Sequence, residues 1–362
     1  MVAAYRGMGM LQSDDIVTLS KGAYRLQQQL AGSAYGVVWR AAAPDGMPDV
    51  ALKLINRVQM ERAQPALHTR WVASAANEIA FLQSLAPWDE RHIVRLLDSG
   101  AHDGLPVMAL ELMEGDLGQR HNATIINVLE WIAQVNQALA KVHQYGWLYL
   151  DLKPANVLLT RHGAVKLADF GTNRLRSALP AYAYAGTASW QAPEQFFPDP
   201  QQRFTTDLRT DYFALGAMFF YLVTGGVPLR FCGDCGQAYR EHQGGAAAVL
   251  LARPGGMGPT LHDDEAALFL QRFAAGAADH GTANDAADLG RTDATWFPGA
   301  AVKPPAAALA LLRMLLAPDR NARPRHALQI SRMLVAIGRQ LQAPSAFTRT
   351  STVGQHRAGS RA

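Results

Sequence analysis

Two periods of apolar residues divide the chain into a strand-like and a helix-like part. Residues 24 to 60 alternate apolar and polar positions in short runs, which turn residues such as Pro44 and Gly46 interrupt. Alternation predicts antiparallel strands, because successive side chains of a strand point to opposite faces. From Arg70 to Leu85 the apolar positions recur at helical spacing instead. The change of period predicts a small sheet followed by a helix.

The predicted helix carries a carboxylate, Glu78, in the middle of an apolar stripe that includes Trp71 and Leu82. An ionised group on a buried stripe is costly unless it is paired. We therefore expect a cation of the sheet to lie beside it. Lys53 protrudes from the otherwise apolar segment VALK, residues 50–53, and is the natural partner.

The part of the chain beyond Glu114 is predicted to be rich in helices. Its clearest apolar-periodic segments are Val128 to Gln144, Tyr212 to Val223 and His326 to Leu341. Between Pro228 and Lys303 a stretch rich in Gly and Ala, with scattered acids, has no assignable pattern, and long connections of this kind are functional or disordered. The tail after Ala343, rich in Ser, Thr and Arg, is expected to be disordered.

Composition sets limits on the class of protein. With 362 residues and 49% hydrophobic content the chain can bury a large core, and domains of roughly 100 to 200 residues predict two folded units. Three arginines between Leu341 and Ala362 account for most of the formal net charge of +4. The remainder is nearly neutral, so we do not expect nucleic acid as a partner.

Neither a leader nor a membrane segment is expected, because no basic start precedes an apolar run and no apolar run approaches the roughly 18 to 20 residues that span a bilayer. The two cysteines give no disulfide framework and favour a reducing, cytoplasmic location. Cys232 and Cys235 have the spacing of half a zinc site, which His242, His262 or His280 could complete. Solvated loop histidines are the commoner case, so structural Zn²⁺ is the lesser alternative.

The segment YLDLKPANVLL, residues 149–159, places a carboxylate, an amine and an amide in one short turn. Asp151 could accept a proton from an attacking hydroxyl, Lys153 could neutralise a transferring phosphoryl group, and Asn156 could offer an oxygen to Mg²⁺. A polar turn before Pro154 would explain one such residue but not three. The sequence therefore predicts phosphoryl-transfer chemistry at this loop.

Two further segments fit the same chemistry. In VKLADFGTN, residues 165–173, an apolar strand ends in Asp169, whose carboxylate together with Asn156 would suit a hard cation that bridges phosphates. In LAGSAYGVV, residues 30–38, small residues would let backbone amides approach phosphates. The second signal is weak by itself, because a Gly/Ser turn in a hairpin is common.

These segments, in this order, resemble the signature set of the eukaryotic-type (Hanks-type) serine/threonine protein kinases, and the sequence is placed among the bacterial members. The resemblance covers about Tyr24 to Leu341. It implies an α+β, two-lobed protein kinase fold, with a small antiparallel-sheet N-lobe that carries one key helix and a larger α-rich C-lobe. The implied division is an N-terminal extension at 1–23, a kinase domain at 24–341 with lobes at about 24–113 and 114–341, an insertion at about 231–300, and a disordered tail at 342–362.

The resemblance also implies ATP with Mg²⁺, or alternatively Mn²⁺, and protein substrates with Ser or Thr. The implied catalytic residues are Asp151 as base, Lys153, Asn156, and the pair Lys53 and Glu78 that positions the phosphates. The implied metal ligands are Asn156 and Asp169. The implied nucleotide-binding residues are Leu30, Ala31, Gly32, Ser33, Gly36, Val38, Ala51, Lys53, Glu111, Met113, Leu158 and Asp169, with Leu110 as gatekeeper.

Other positions match the family outside the phosphate site. The triplet at 192–194 resembles the APE motif, and Arg323 resembles the arginine that pairs with its glutamate. Asp211 resembles the aspartate that steadies the catalytic loop. Lys153 and Thr187 are similar to the residues that accompany a preference for Ser and Thr.

The sequence departs from the family in the glycine loop and before the base. Ala31 and Ser33 stand where glycines belong, and we expect Ser33→Gly to raise turnover because a Cβ restricts the loop. Leu150 replaces the arginine that grips an activation-loop phosphate, which places the chain in the non-RD subtype. A phosphate on Ser177 or Thr172 thereby loses a docking cation, which predicts basal activity without loop phosphorylation, or control by a partner.

Two rival functions remain. A pseudokinase scaffold that binds nucleotide without efficient transfer is favoured by the altered glycine loop and by Leu150, whereas the retained reacting groups argue against it. A kinase-fold enzyme acting on small molecules is disfavoured by the APE triplet and the GT segment at 186–187. Autophosphorylation of the basic tail is plausible, and the sequence leaves the oligomeric state open.

Overall fold

A six-stranded antiparallel sheet forms the N-terminal part of the protein, and its strand order is β1-β2-β3-β4-β6-β5. The computed structural model describes residues 11–33, 35–178, 186–278 and 303–342. The strands are β1 Ile16–Leu19, β2 Gly22–Gly32, β3 Gly36–Ala42, β4 Val50–Ile55, β5 Leu96–His102 and β6 Leu105–Glu111.

Strand alternation sorts the side chains of β4 onto two faces. Leu52 and Leu54 are buried in an apolar cluster of the sheet that also contains Val17 and Tyr24. The intervening Ala51 packs instead against the large core that continues into the C-terminal part. Lys53 shares this second face, because residues two apart in a strand point the same way.

Two helices follow β4. Residues 57–60, which the alternation pattern assigned to strands, belong to the short helix α1, Arg57–Arg62. Its start is fixed by Asn56, whose side-chain oxygen accepts a hydrogen bond from the Gln59 amide, as helix N-caps do. The predicted helix is α2, Pro65–Ser84. It begins at a proline, whose fixed φ and missing N–H suit a first helical turn.

The remainder is rich in helices, and the three predicted ones are present within a few residues of their expected bounds. The helices are α3 Ile125–Gln144, α4 Pro193–Phe196, α5 Leu208–Val223, α6 Arg230–His242, α7 Ala246–Leu251, α8 Asp263–Ala278, α9 Pro304–Leu315 and α10 Ala327–Gln342. Two small antiparallel pairs lie near the start of this part: β7 Trp147–Leu148 with β10 Arg174–Leu175, and β8 Val157–Leu159 with β9 Val165–Leu167. The predicted α+β architecture of a sheet-based part and a helix-rich part is confirmed.

Two stretches that the sequence left without structure contain regular elements. Strand β1 lies in the segment 1–23 that we expected to be an extension, and it forms the edge of the sheet. Helices α6, α7 and α8 lie in the segment 231–300. Residues 279–302 and the expected disordered tail at 343–362 lie outside the described residues. Among the described helices, none is long and apolar enough to span a membrane.

Candidate active site

A lysine and two carboxylates meet where the sheet faces the helical part. Lys53 Nζ on β4 lies 3.0 and 2.7 Å from the two carboxylate oxygens of Glu78 on α2. The same ammonium lies 2.8 Å from Oδ1 of Asp169, which follows β9. Glu78 is 2% exposed, so its carboxylate has the partner that burial on an apolar stripe demands. The predicted pair of Lys53 and Glu78 is present in the structure.

The three charges shift one another's pKa. Burial lowers the pKa of the Lys53 ammonium, but the charges of Asp169 and Glu78 outweigh burial and raise it above its usual value. Burial raises the pKa of Glu78 although Lys53 opposes the shift. The Lys53 charge lowers the pKa of Asp169, whose side chain is half exposed. Lys53 therefore stays an ammonium at neutral pH, and Asp169 holds the negative charge more readily than Glu78.

Phe170 fixes the segment that carries Asp169. Its ring is fully buried and lies with centroids 4.6 Å from Phe81 of α2 and 5.2 Å from Tyr149. At the next residue along the chain, the Gly171 carbonyl accepts a hydrogen bond from the Ser74 hydroxyl of α2 at 2.5 Å. These contacts bind the segment 169–171 to α2, which also supplies Glu78. Sequence analysis missed Ser74, because a lone serine on a helix carries no pattern.

Asp151 lies in a dense hydrogen-bond network and is 7% exposed. Its Oδ2 accepts from Lys153 Nζ at 2.8 Å and from Asn156 Nδ2 at 3.1 Å. Its Oδ1 accepts from the Thr187 hydroxyl at 2.7 Å, and Lys153 Nζ also donates to that hydroxyl at 2.7 Å. The three polar residues predicted for this loop are thus brought together, and Thr187 joins them from the segment before α4.

Asp211, near the start of α5, holds the backbone that leads to Asp151. Its carboxylate accepts from the backbone N–H of Tyr149 at 3.0 Å and of Leu150 at 2.7 Å. His143 Nε2 of α3 lies 2.8 Å from the same carboxylate. Leu150 has φ +65°, a conformation that is uncommon outside glycine and needs such support. Sequence analysis predicted Asp211 but missed His143, although a buried polar residue on an apolar helix face was the available signal.

Other bonds close the back of the loop. The Gln195 side chain of α4 donates to the Leu150 carbonyl at 2.9 Å. The neighbouring Glu194 forms a bidentate ion pair with Arg323 at 2.7 and 2.9 Å. The Arg323 side chain is fully buried, and bidentate geometry compensates much of the cost of burying a guanidinium. The predicted pair of Glu194 and Arg323 is present in the structure.

The residues predicted to bind the nucleotide base come from strands of both parts of the protein. Val38 pairs with Lys53 across β3 and β4, and Ala51 pairs with Leu110 across β4 and β6. Ala51, Met113 and Leu158 are partly buried and pack against the large core. Leu30, at the end of β2, is 46% exposed.

Glu111, at the end of β6, uses its N–H and its side chain in contacts within the protein. Its N–H donates to the Arg95 carbonyl at 3.0 Å, and its carboxylate accepts from the Arg95 amide and from Lys166 Nζ. Its side chain and its N–H therefore already have partners within the protein.

The turn between β2 and β3 is the predicted phosphate loop. Ala31 and Gly32 are exposed. A Cβ on Gly36 would lie 3.3 Å from the Leu54 carbonyl, so close approach of β4 favours glycine at this position. Ser33 is not among the described residues with positive φ, so its backbone conformation is one that residues with a Cβ adopt readily.

The oxygen donors fit a hard cation. Asn156 turns its amide nitrogen toward Asp151, which leaves its carbonyl oxygen for another partner, and Asp169 has a second carboxylate oxygen beside the one that faces Lys53. One or two protein oxygens are what Mg²⁺ takes when substrate phosphates and water complete its shell. Within the described residues no group of three or more His, Cys, Asp or Glu could hold a metal ion.

The cysteine pair, predicted as half of a zinc site, lies on a helix and not in a polar loop. Cys232 and Cys235 lie one turn apart on α6 and are both buried in the large apolar core. Burial raises the pKa of Cys232, and it raises the pKa of Cys235 to about 12, whereas zinc binds thiolates. Of the candidate histidines, His280 lies outside the described residues.

The chain is similar in sequence to known proteins. The family model for the protein kinase domain matches residues 24–330. A probable serine/threonine-protein kinase of Clostridium perfringens is 32% identical over 42% of this chain and 22% of its own length. The serine/threonine-protein kinase PknB of Mycolicibacterium smegmatis is 30% identical over 51% of this chain and 29% of its own length. The cyclin-dependent kinase F-4 of Oryza sativa is 28% identical over 56% of this chain and 42% of its own length. The matched part thus spans less than half the length of these relatives.

Proposed function

The chain belongs to the protein kinase family, as the signature segments predicted, and we propose that it transfers the γ-phosphate of ATP to serine or threonine hydroxyls of proteins. The observation that carries the proposal is the network of Asp151, Lys153 and Thr187. A carboxylate held by an ammonium and a hydroxyl in a cleft is oriented for proton transfer and phosphate neutralisation.

Asp151 is the proposed base. Its carboxylate accepts the proton of the substrate hydroxyl while the hydroxyl oxygen attacks the γ-phosphorus, and the bond from that phosphorus to the bridging oxygen of ADP breaks. Lys153 Nζ, 2.8 Å from Asp151, lies where it can contact the transferring phosphoryl oxygens. Thr187 links this pair to the segment that precedes α4.

Lys53 is the proposed ligand of the α- and β-phosphates, and Glu78 fixes its position. Asn156 and Asp169 would hold the metal ion. Mg²⁺, when bound, neutralises negative charge on the phosphate oxygens. Val38 and Ala51 from the sheet and Leu158 from β8 would enclose the adenine.

The choice of Ser and Thr rests on the family pattern of Lys153 and Thr187. Their mutual hydrogen bond of 2.7 Å supports the assignment. Phosphates on the protein itself would indicate autophosphorylation, and activity with Mn²⁺ would show that Mn²⁺ can replace Mg²⁺.

A nucleotide-binding scaffold is the second candidate function. One observation favours it: the Ser33 hydroxyl occupies backbone amides of the phosphate loop. The scaffold would bind ATP without efficient transfer.

The test compares the natural protein with Asp151→Asn, which keeps the shape of the side chain but removes the base. Both proteins are incubated with ATP, Mg²⁺ or Mn²⁺ and a generic protein substrate, and mass spectrometry locates the phosphates. We expect phosphoserine and phosphothreonine with the natural protein and a loss of at least about a hundredfold in kcat with the variant. If both proteins gave the same background phosphorylation and still bound ADP, the result would favour the scaffold.

A further inference from the structure

The phosphate loop is closed by one of its own side chains. The backbone N–H groups of Tyr35 and Gly36 donate to the Ser33 hydroxyl oxygen at 3.2 and 3.1 Å. The Ser33 N–H in turn donates to the Gly36 carbonyl at 2.8 Å. Consecutive amides of a turn make an anion-binding concavity when they are free. Here a neutral oxygen of the same turn already accepts from them.

Two contacts outside the turn hold it in this conformation. The Asn56 side chain donates to the Ser33 carbonyl at 2.7 Å, and the Asn56 amide donates to the Tyr35 carbonyl at 3.0 Å. The Tyr35 ring meets Trp71 of α2 edge-on, with centroids 5.2 Å apart. Tyr35 is nevertheless 66% exposed, so this contact fixes its position without burying it. The amides of Tyr35 and Gly36 therefore stay where Ser33 can reach them.

We propose that Ser33 is a latch that sets the affinity for the phosphates of the nucleotide, an inference that rests on the proposed function. The phosphates of ATP can bind the amides of Tyr35 and Gly36 only after the Ser33 hydroxyl leaves them. A charged phosphate oxygen is the stronger acceptor, so the exchange proceeds. Each binding event gives up the hydrogen bonds from these two amides and the one that the Ser33 hydroxyl donates to the Gly36 carbonyl at 3.3 Å, and this loss lowers the affinity. Ser33 is thus a positioning residue that acts through the loop backbone.

Two substitutions separate the hydroxyl from the Cβ. Ser33→Ala removes the hydroxyl and keeps the Cβ, whereas Ser33→Gly removes both. Calorimetry with Mg²⁺ and ADP measures Kd for the natural protein and for each variant. If the hydroxyl is the latch, we expect both variants to bind ADP about three- to tenfold more tightly than the natural protein, the range that one or two net hydrogen bonds give. KM for ATP should fall by the same factor, so kcat/KM for ATP should rise with it.

Two controls make the result specific. Adenosine has no phosphates, so its Kd should be the same in all variants. Ser13→Ala removes a hydroxyl that donates to the Gln27 carbonyl of the same sheet, outside the turn, and it should leave the Kd for ADP unchanged.

Several results would overturn the latch. Tighter ADP binding in Ser33→Gly alone would assign the effect to backbone freedom, and weaker binding in both variants would make the hydroxyl a support for the nucleotide. An equal gain for adenosine, or no ADP binding by any variant, would also exclude it. Absence of phosphate transfer with the expected Kd values would count against the proposed function only.

Discussion

Thr187 illustrates how much one hydroxyl can do at the residue scale. It donates to Asp151 and accepts from Lys153, each at 2.7 Å. Asp151 and Lys153 lie in one loop, whereas Thr187 comes from beyond the undescribed residues 179–185. The hydroxyl therefore joins the segment before α4 to the proposed base.

Thr187→Ala should lower kcat by about tenfold to a hundredfold, because a misoriented base loses catalysis without losing substrate. Thr187→Ser keeps the hydroxyl and should restore most of the rate. Steady-state kcat and KM for ATP, measured with a generic protein substrate, distinguish a loss of catalysis from a loss of substrate binding. A raised KM with unchanged kcat, or no rescue by serine, would contradict this role.

The buried cysteines give a second prediction at this scale. Burial raises the pKa of Cys235 to about 12, and a thiol with that pKa is ionised to only about one part in ten thousand at pH 8. The native protein should therefore react slowly with a thiol-specific disulfide reagent at pH 8, and faster as the pH rises toward 12. In guanidinium chloride both thiols should react at once.

Cys235→Ser is the matched control, because it leaves Cys232, which is also buried on α6. Elemental analysis of the same native preparation should find no stoichiometric zinc. Rapid labelling of the folded protein, or one zinc per chain, would show that the environment of α6 differs from an apolar core.

Among single residues, the pairing of Lys53 with Glu78 could be predicted from the sequence, because a buried carboxylate demands a cation. The role of the Ser33 hydroxyl could not, because it depends on where two backbone amides point after the turn has formed. From the sequence we expected the Cβ of Ser33 to account for the effect of replacing the family's glycine. In the structure the hydroxyl makes the contacts.

At the scale of elements, one carboxylate ties the first hairpin to the far side of the sheet. Asp98 of β5 is 5% exposed. It accepts from the Ser20 hydroxyl, from the Lys21 amide at 2.9 Å and from the Tyr24 hydroxyl at 3.0 Å. The turn between β1 and β2 is thereby held against β5.

Asp98→Ala should lower the free energy of unfolding by about 1 to 3 kcal/mol, because it leaves the buried Tyr24 hydroxyl without its acceptor. Urea denaturation measures this loss. Asp49→Ala removes an exposed ion pair with Arg40 and should change stability by less than about 1 kcal/mol. Equal effects of the two substitutions would exclude a special role of Asp98.

The same carboxylate predicts a pH dependence. Burial raises the pKa of Asp98, but the hydrogen bonds from Ser20, Lys21 and Tyr24 outweigh it, so the folded pKa lies below the ordinary value. Its contribution to stability is then present above about pH 4, the pKa of an unfolded aspartate, and is lost as the pH falls through the folded pKa. The stability of Asp98→Ala should fall less steeply than that of the natural protein below pH 4.

The element pattern itself was partly predictable. Helix α2 begins at Pro65 and not near Arg70, because Pro65 and Leu67 of its first turn are exposed and do not extend the apolar stripe. Helices α6 to α8 escaped prediction, because scattered glycines and alanines hide their buried positions. Strand β1 has only four residues, two of them buried, which is too short a pattern to separate from a loop.

At the scale of the whole molecule, both parts of the protein contribute to one site. The sheet and α2 supply Lys53 and Glu78, and the helical part supplies Asp169 and Asp151. The order of the signature segments predicted this assembly. The order of the segments could not predict how the two parts are held together. That depends on contacts such as Phe170 against Phe81 and Ser74 against Gly171.

The surroundings of Leu150 give a prediction about regulation by the loop that contains Ser177. Leu150 is buried beside the proposed base and, being apolar, offers no cation to a phosphorylated loop. The bonds that hold its backbone come from Asp211 and Gln195, which are not loop phosphates. We therefore expect the arrangement around Asp151 to form without modification of Ser177, an exposed residue of the loop.

Protein treated with a phosphatase should accordingly show a linear progress curve from the first measurable time, with no lag. Ser177→Asp should change the initial rate by less than about twofold, since the new charge finds no arginine at position 150. Ser177→Ala is its matched control and should behave like the natural protein. A lag that preincubation with ATP removes, or activation of more than about tenfold by Ser177→Asp, would mean that a phosphate finds another cation and completes the site.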